Sequence, residues 1–330
     1  MTVAAFFFDQ ALLPSGWSRN VRLTVQGGVI ASVEPSAVFT SNDVRAPLAL
    51  PGLSNLHSHA FQRGMAGLAE TRGPVGDTFW TWREVIYRFL DRLDPEMVEA
   101  ITALAFAEML EGGFTRVGEF HYLHQSPDGA PYADPAELTV RIAAAAEDTG
   151  IGLTFLPVFY AHADFGGAPP RPGQRRFIHD LDSFARLLES TRAMAARFPD
   201  ATVGIAPHSL RAVTPDELKG LIAMGAGGPM HIHAAEQDKE VADCVAALGA
   251  RPVEWLLANA GIDARWCLVH ATQMTLSETL GLAQSGAVAG LCPITEANLG
   301  DGIFPSAAYL EAGGRFGLGT DSNIQIDAAA

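Results

Sequence analysis

LPGLSNLHSHAFQR, residues 50–63, carries an apolar run into two histidines one residue apart. Side chains on a strand alternate between its faces, so His57 and His59 point to the same side. Two imidazoles at one strand end can share a cation. Alone, an H-x-H pair is a weak sign of that, and its meaning depends on what the rest of the chain brings to the same place.

Outward from this stretch, apolar runs of strand length alternate with helical ones. After 50–59 come TRVGEF (115–120), IGLTFLPVF (151–159), ATVGIAPHS (201–209), PMHIHAAE (229–236), RWCLVHAT (265–272), AVAGLCP (287–293) and RFGLGTD (315–321), eight strand candidates in all. Between them, PEMVEAITALAFAEMLEGG stops at a glycine pair, and TPDELKG and TLSETLG each open with Thr followed three residues later by Glu, a capping-box pattern. Eight buried strands alternating with helices predict an α/β fold, a (β/α)8 TIM-like barrel over residues 51–330. The rival open sheet would carry a G-x-G-x-x-G turn, which is lacking. Residues 1–50 read differently: β-prone runs flank Gly27-Gly28 as in a hairpin, giving a small N-terminal β-subdomain, part of a β-sandwich. Only nine residues follow Asp321, so the last barrel helix and the C-terminal strands are expected to be missing from this chain. The long irregular stretch HADFGGAPPRPGQRRFIHD, residues 162–180, is of the kind from which lids often come.

Composition narrows the function. The 330 residues are 48% hydrophobic with a formal net charge of -15, which argues against nucleic acid and anionic membranes and for a small-molecule substrate. Cys244, Cys267 and Cys292 form no disulfide framework, and no apolar run reaches membrane-spanning length. The expectation is a cytoplasmic protein, with a homodimer left open.

In a barrel, chemistry sits at the C-terminal strand ends. Six of the ten histidines, His57, His59, His208, His231, His233 and His270, fall in the strand candidates or at their ends, together with Glu236 and Asp321. His231, two residues before His233, is read as a core histidine, and Arg63 and His121 as outer neighbours of the site. His57, His59, His233, His270 and Asp321 at four strand ends turn the weak H-x-H sign into a metal-site expectation.

This order of ligands resembles the amidohydrolase superfamily. More narrowly, NLHSHAFQR, EFHYLHQSPDG, PHSLRAVTP, HIHAAEQ and CPITEANLGDGIFP resemble its formimidoylglutamate deiminases. The resemblance implies zinc-dependent hydrolysis of N-formimino-L-glutamate to N-formyl-L-glutamate and ammonia, in histidine degradation. Two-metal members of the superfamily bridge their ions with a strand-four lysine, but the only lysines here are Lys219 and Lys239, both in helical segments. One ion held by His57, His59, His233 and Asp321 is therefore expected, zinc before iron or manganese. Glu236 would shuttle protons, Asp321 would take one from water as well as contact the ion, and His270 would orient the nucleophile or stabilise developing charge. For the dicarboxylate substrate, the family pattern points to Gln62, Arg83, Tyr122, His208 and Arg211. Two alternatives stand beside this reading: an aromatic-base deaminase of the guanine or cytosine type, and an inactive truncated fragment.

Overall fold

The structure, a computed structural model, describes residues 3–68, 79–225 and 227–327, leaving aside the side chains of 79–84. The chain divides into two compact units, Met1–Leu53 and Ser54–Ala330.

The first unit is a four-stranded sheet in the order β3-β2-β1-β4, made of β1 (Val3–Leu13), β2 (Gly16–Gln26), β3 (Val29–Glu34) and β4 (Val44–Ala49). The β2–β3 turn is the expected glycine hairpin: Gly27 and Gly28 have φ of +58° and +82°, the pair of positive values that a two-residue turn of matching twist needs. The strand β4, parallel to β1, was not legible, since VRAPLA alternates poorly and carries a proline.

In the second unit the strands are β5 (Leu53–Ser58), β6 (Phe114–His121), β7 (Gly152–Phe159), β8 (Thr202–Val203), β9 (Ala206–Pro207), β10 (Met230–Ala234), β11 (Trp266–His270), β12 (Val288–Leu291) and β13 (Arg315–Leu318). The helices are α1 (Phe79–Leu90), α2 (Pro95–Glu111), α3 (Glu137–Thr149), α4 (Leu181–Ala195), α5 (Pro215–Met224), α6 (Asp238–Leu248), α7 (Pro252–Asn259), α8 (Leu276–Ser285), α9 (Pro293–Leu299) and α10 (Ser306–Glu311). The parallel sheet runs β10-β11-β12-β13-β5-β6-β7-β8, with β9 also on β7. Parallel bridges from Ile205 to Met230 and from Ser209 to His233 join its two ends. The result is the expected TIM-like barrel.

One strand differs from its sequence reading. Residues 201–209 are broken at Gly204 and Ile205 into β8 and β9, because the backbone there comes hard against the segment entering β10. Ile205 N donates to Pro229 O at 3.0 Å, and a Cβ on Gly204 would collide with Pro229 O. The capping boxes form as read: the Glu217 carboxylate accepts from Thr214 N at 2.7 Å and that of Glu278 from Thr275 N at 2.8 Å. Apolar helix faces pack on the outer sheet, with Phe106, Met109 and Phe155 in one cluster and Leu221, Leu256 and Trp266 in another. A third, small cluster joins Leu56 to Cys267, Val269 and Cys292. Since β5 and β11 are not neighbours in the sheet, this cluster lies inside its curl.

The stretch 162–180 is fastened down. Arg176 is buried and donates from Nε to Gln125 O and from Nη1 to Leu93 O, each at 2.9 Å. Gln174, also buried, donates to Tyr160 Oη at 2.8 Å. A buried guanidinium bonded to carbonyls is a clasp, so the expectation of a lid here is corrected.

Candidate active site

Strand ends converge as the alternation predicted. The rings of His57 and His59 lie 4.7 Å apart, and those of His57 and His233 4.8 Å apart. The ligating atoms of His57, His59, His233 and Asp321 all fall within 4.8 Å of one another, and all four residues are buried. Hydrogen bonds fix which nitrogens face inward. His59 Nδ1 donates to Phe120 O at 2.8 Å and His233 Nδ1 to His208 O at 2.9 Å, so a neutral ring in either place presents its Nε2 lone pair. His59 Nε2 then faces the carboxylate oxygen Asp321 Oδ1 at 3.1 Å, and His233 Nε2 faces His57 Nε2 at 3.1 Å. Electron pairs that close need a cation among them. Burial keeps the His57 ring neutral, with its pKa lowered to about 3. Burial also opposes charge on Asp321, but the close approach of the His57 and His59 rings outweighs that and holds it well below the usual carboxylate range. Three imidazoles and a carboxylate fit one divalent ion and leave a fifth position for water.

Asp321 is aimed by a clasp between β5 and the end of β13. Asn55 Nδ2 donates to Thr320 Oγ1 at 2.7 Å, Asn323 Nδ2 donates to Ser58 Oγ at 3.1 Å, and Asp321 O accepts from His59 N at 2.8 Å. The backbone is left-handed at Asp321 (φ +49°), at Ala235 (φ +52°) and at His270 (φ +66°). For residues with a Cβ this costs on the order of 1 kcal/mol each and persists where the surroundings over-determine it. Glu119, buried within strand β6, accepts from Ala60 N at 2.7 Å and pins the turn that follows His59.

Beside the cradle, Glu236 Oε1 lies 3.8 Å from His270 Nε2, while His270 Nδ1 meets Glu296 Oε1 at 3.2 Å. Burial pushes the Glu236 carboxyl up to about 7 against the pull of His270. Burial works against a charged His270, but Glu236, Glu296 and Asp321 overcome it and raise the ring to about 10. A carboxyl titrating near neutrality beside a cationic imidazole can both take and give a proton at pH 7.

Both groups open on a cavity that Gln62, Tyr122, His208 and Arg211 also line. Gln62 Nε2 donates to Tyr122 Oη at 2.7 Å, whereas Gln62 Oε1 and Arg211 Nε are buried without hydrogen-bond partners among the described residues. These are open positions for a polar ligand.

Comparison with known proteins agrees with this geometry. The amidohydrolase family model matches residues 48–330. The chain belongs to the amidohydrolase family. A second model, for the N-terminal domain of formimidoylglutamate deiminase HutF, matches residues 3–46. The formimidoylglutamate deiminase of Pseudomonas aeruginosa is 52% identical over 98% of this chain and 72% of its own length. An 8-oxoguanine deaminase of the same organism is 29% identical over 87% of this chain and 62% of its own. Among solved structures, an amidohydrolase from Brucella melitensis superposes with a TM-score of 0.97 at 55% identity, covering 98% of this chain and 72% of that one. This amidohydrolase is thus an enzyme.

Of the other residues read from sequence, Arg83 lies on α1 with its side chain outside the described ones. His231 is buried, as a core histidine should be. Arg63 turns to Glu108, with Nη2 to Oε1 at 2.9 Å. His121 turns from the site to Thr139 Oγ1 at 3.0 Å and joins His124 and His179 in a buried row with ring centroids 4.8 and 4.9 Å apart. Sequence reading assigned no role to Asn55, Thr320, Asn323, Glu240 or Glu296. The only hint of them was the polar density of GTDSN after the last strand, and a Glu four residues beyond Cys292.

The buried histidines set an acid limit. Burial lowers His57 and His121 to about 3, His179 and His231 to about 4, and His124, His208 and His233 well below their ordinary value. Below the unfolded value of about 6.5 the unfolded chain binds protons at these rings and the folded chain does not, so stability rises with pH up to that value. Glu119, Glu236, Glu240 and Asp301 are raised by burial and act in the opposite sense, but the depressed histidines outnumber them. Metal-free protein is therefore expected to gain stability between about pH 4.5 and 6.5. Denaturant midpoints measured across that window check it, and a flat or falling profile would contradict it.

Proposed function

We propose that this chain hydrolyses N-formimino-L-glutamate to N-formyl-L-glutamate and ammonia, using one zinc ion, as a step of histidine degradation. Water adds to the amidine carbon, the bond from that carbon to the terminal nitrogen breaks, and the nitrogen leaves as ammonia. His57, His59, His233 and Asp321 would hold the ion, with zinc suited best by imidazole and carboxylate donors. When bound, such an ion supplies Lewis acidity and lowers the pKa of water to about 7. The protein's own groups do the rest. Asp321, kept ionised, accepts a proton from the attacking water. Glu236 moves a proton to the departing nitrogen, and cationic His270 faces the charge that develops at the reacting carbon.

The observation that carries the substrate is Arg211. Its buried, unpartnered Nε in a cavity beside Glu236 suits an anionic substrate, since a planar fork left open matches a carboxylate. Gln62, Tyr122, His208 and, on the resemblance, Arg83 complete the grip on a dicarboxylate. The aromatic wall gives some support to a ring deaminase, with Tyr122 4.9 Å and Tyr160 5.7 Å from Phe177. Ammonia release from N-formimino-L-glutamate, with guanine and cytosine as controls, decides between them. If only the bases release ammonia, the deiminase reading fails. Arg211→Met is expected to raise KM about 10–100-fold with a smaller effect on kcat, because a hydrogen bond to a charged group is worth about 1.5–3 kcal/mol. An unchanged KM would move carboxylate binding elsewhere.

A further inference from the structure

We propose that Glu296 is a positioning residue that acts through His270, fixing the ring so that Nε2 faces Glu236 and the reacting group. The proposal rests on the deiminase reading above only for the part His270 takes in the chemistry. Its geometry stands independently of the substrate.

Glu296 sits in the first turn of α9, immediately beyond β12, while His270 ends the neighbouring strand β11. One oxygen, Glu296 Oε1, accepts from Cys292 N at 2.8 Å and meets His270 Nδ1 at 3.2 Å. An ionised carboxylate can only accept, so the nitrogen that faces it carries the hydrogen. That decides the other nitrogen. In a neutral ring Nε2 keeps its lone pair, and in either protonation state it is Nε2 that points to Glu236 at 3.8 Å.

The anchor is needed because the backbone does not hold the ring by itself. His270 and Ala271 both have positive φ, +66° and +50°, a conformation that ordinary residues leave unless their neighbours hold them. The Cys292 amide in turn fixes Glu296, so the start of α9 becomes a rigid brace for the end of β11. Glu296 is 7% exposed, which shields the contact from competing water.

The same three residues, His270, Cys292 and Glu296, place donor atoms within 4.8 Å of one another, the pattern of a second cation site. The hydrogen bonds argue otherwise. Glu296 Oε1 is already shared between two N–H groups, and burial keeps the Cys292 thiol protonated, whereas a metal needs the thiolate. The cluster is a brace for an imidazole.

The test compares the metal-loaded protein with Glu296→Ala and Glu296→Gln. Glu296→Ala is expected to lower kcat roughly 10–100-fold, the usual effect of removing the partner that orients a working histidine, with KM within about twofold and metal content unchanged. Glu296→Gln keeps an acceptor oxygen and is expected to recover most of the rate. The imidazole nitrogen resonances of His270, assigned by comparison with His270→Gln, should show Nδ1 carrying a hydrogen in the wild type and change in Glu296→Ala. A wild-type kcat in Glu296→Ala, or an unchanged His270 signal, overturns the proposal. Should Glu296→Ala fail to fold, Glu296→Gln with a wild-type rate and a disturbed His270 tautomer also overturns it. If wild-type protein releases no ammonia from N-formimino-L-glutamate while the His270 signal still responds to Glu296→Ala, the deiminase reading falls and the positioning role stands.

Discussion

Glu236→Gln is expected to keep its metal and lose about 10²–10⁴-fold in kcat, the range that general acid/base groups contribute. The change removes one property only. Gln matches Glu in size, and the Glu236 backbone is held independently by Glu240, whose Oε2 accepts from Glu236 N at 2.9 Å. Glu236 is not among the four residues whose ligating atoms converge, so metal content should not move. What disappears is a carboxyl that burial has raised to about 7, able to take a proton and release it within one turnover. An amide has no such equilibrium. Near-normal kcat with full metal occupancy would give the proton to another group, with Asp301, also raised by burial to about 6, the first to examine.

The parts of this site that could be read from sequence are those governed by strand periodicity. His57 and His59 share a face because they are two apart, and His233, His270 and Asp321 stand where apolar runs end, so a barrel had to bring them to one rim. The β5 to β13 clasp was illegible for the opposite reason: Asn55 and Thr320 are 265 residues apart, and nothing local in either segment marks the other as its partner. Glu296 was hidden because its role depends on the turn from β12 into α9, which strand and helix patterns do not specify. The break of strand four at Gly204 follows from the close approach of Pro229, again a matter of tertiary packing. The long stretch 162–180 misled because Pro and Gly mark an irregular path without saying whether buried groups such as Arg176 fasten it.

Asp321→Asn tests the other half of the site and should do more damage. It retains the shape of the side chain, yet it removes the negative charge that the cradle sets against a cation and the acceptor that takes the proton from water. Both losses act together: the cradle keeps three nitrogen donors and no anionic one, and the attacking water loses its proton acceptor. The expected result is a fall in kcat/KM of more than about 10³-fold together with weaker zinc binding. A stability readout separates these effects. A ligand that binds only the folded state stabilises it by about 4 kcal/mol at a thousand times its Kd, so added zinc should raise the Tm of metal-free wild-type protein and raise that of Asp321→Asn much less. Asn323→Ala makes the useful comparison, since it leaves the carboxylate in place and removes the side chain that braces it through Ser58 Oγ, Thr320 Oγ1 and Asp321 O. Its loss should be nearer 10–100-fold, with the zinc-induced rise in Tm largely kept. If Asp321→Asn binds zinc as tightly as the wild type and loses activity alone, the three histidines suffice to hold the ion. Asp321 would then serve only as the proton acceptor.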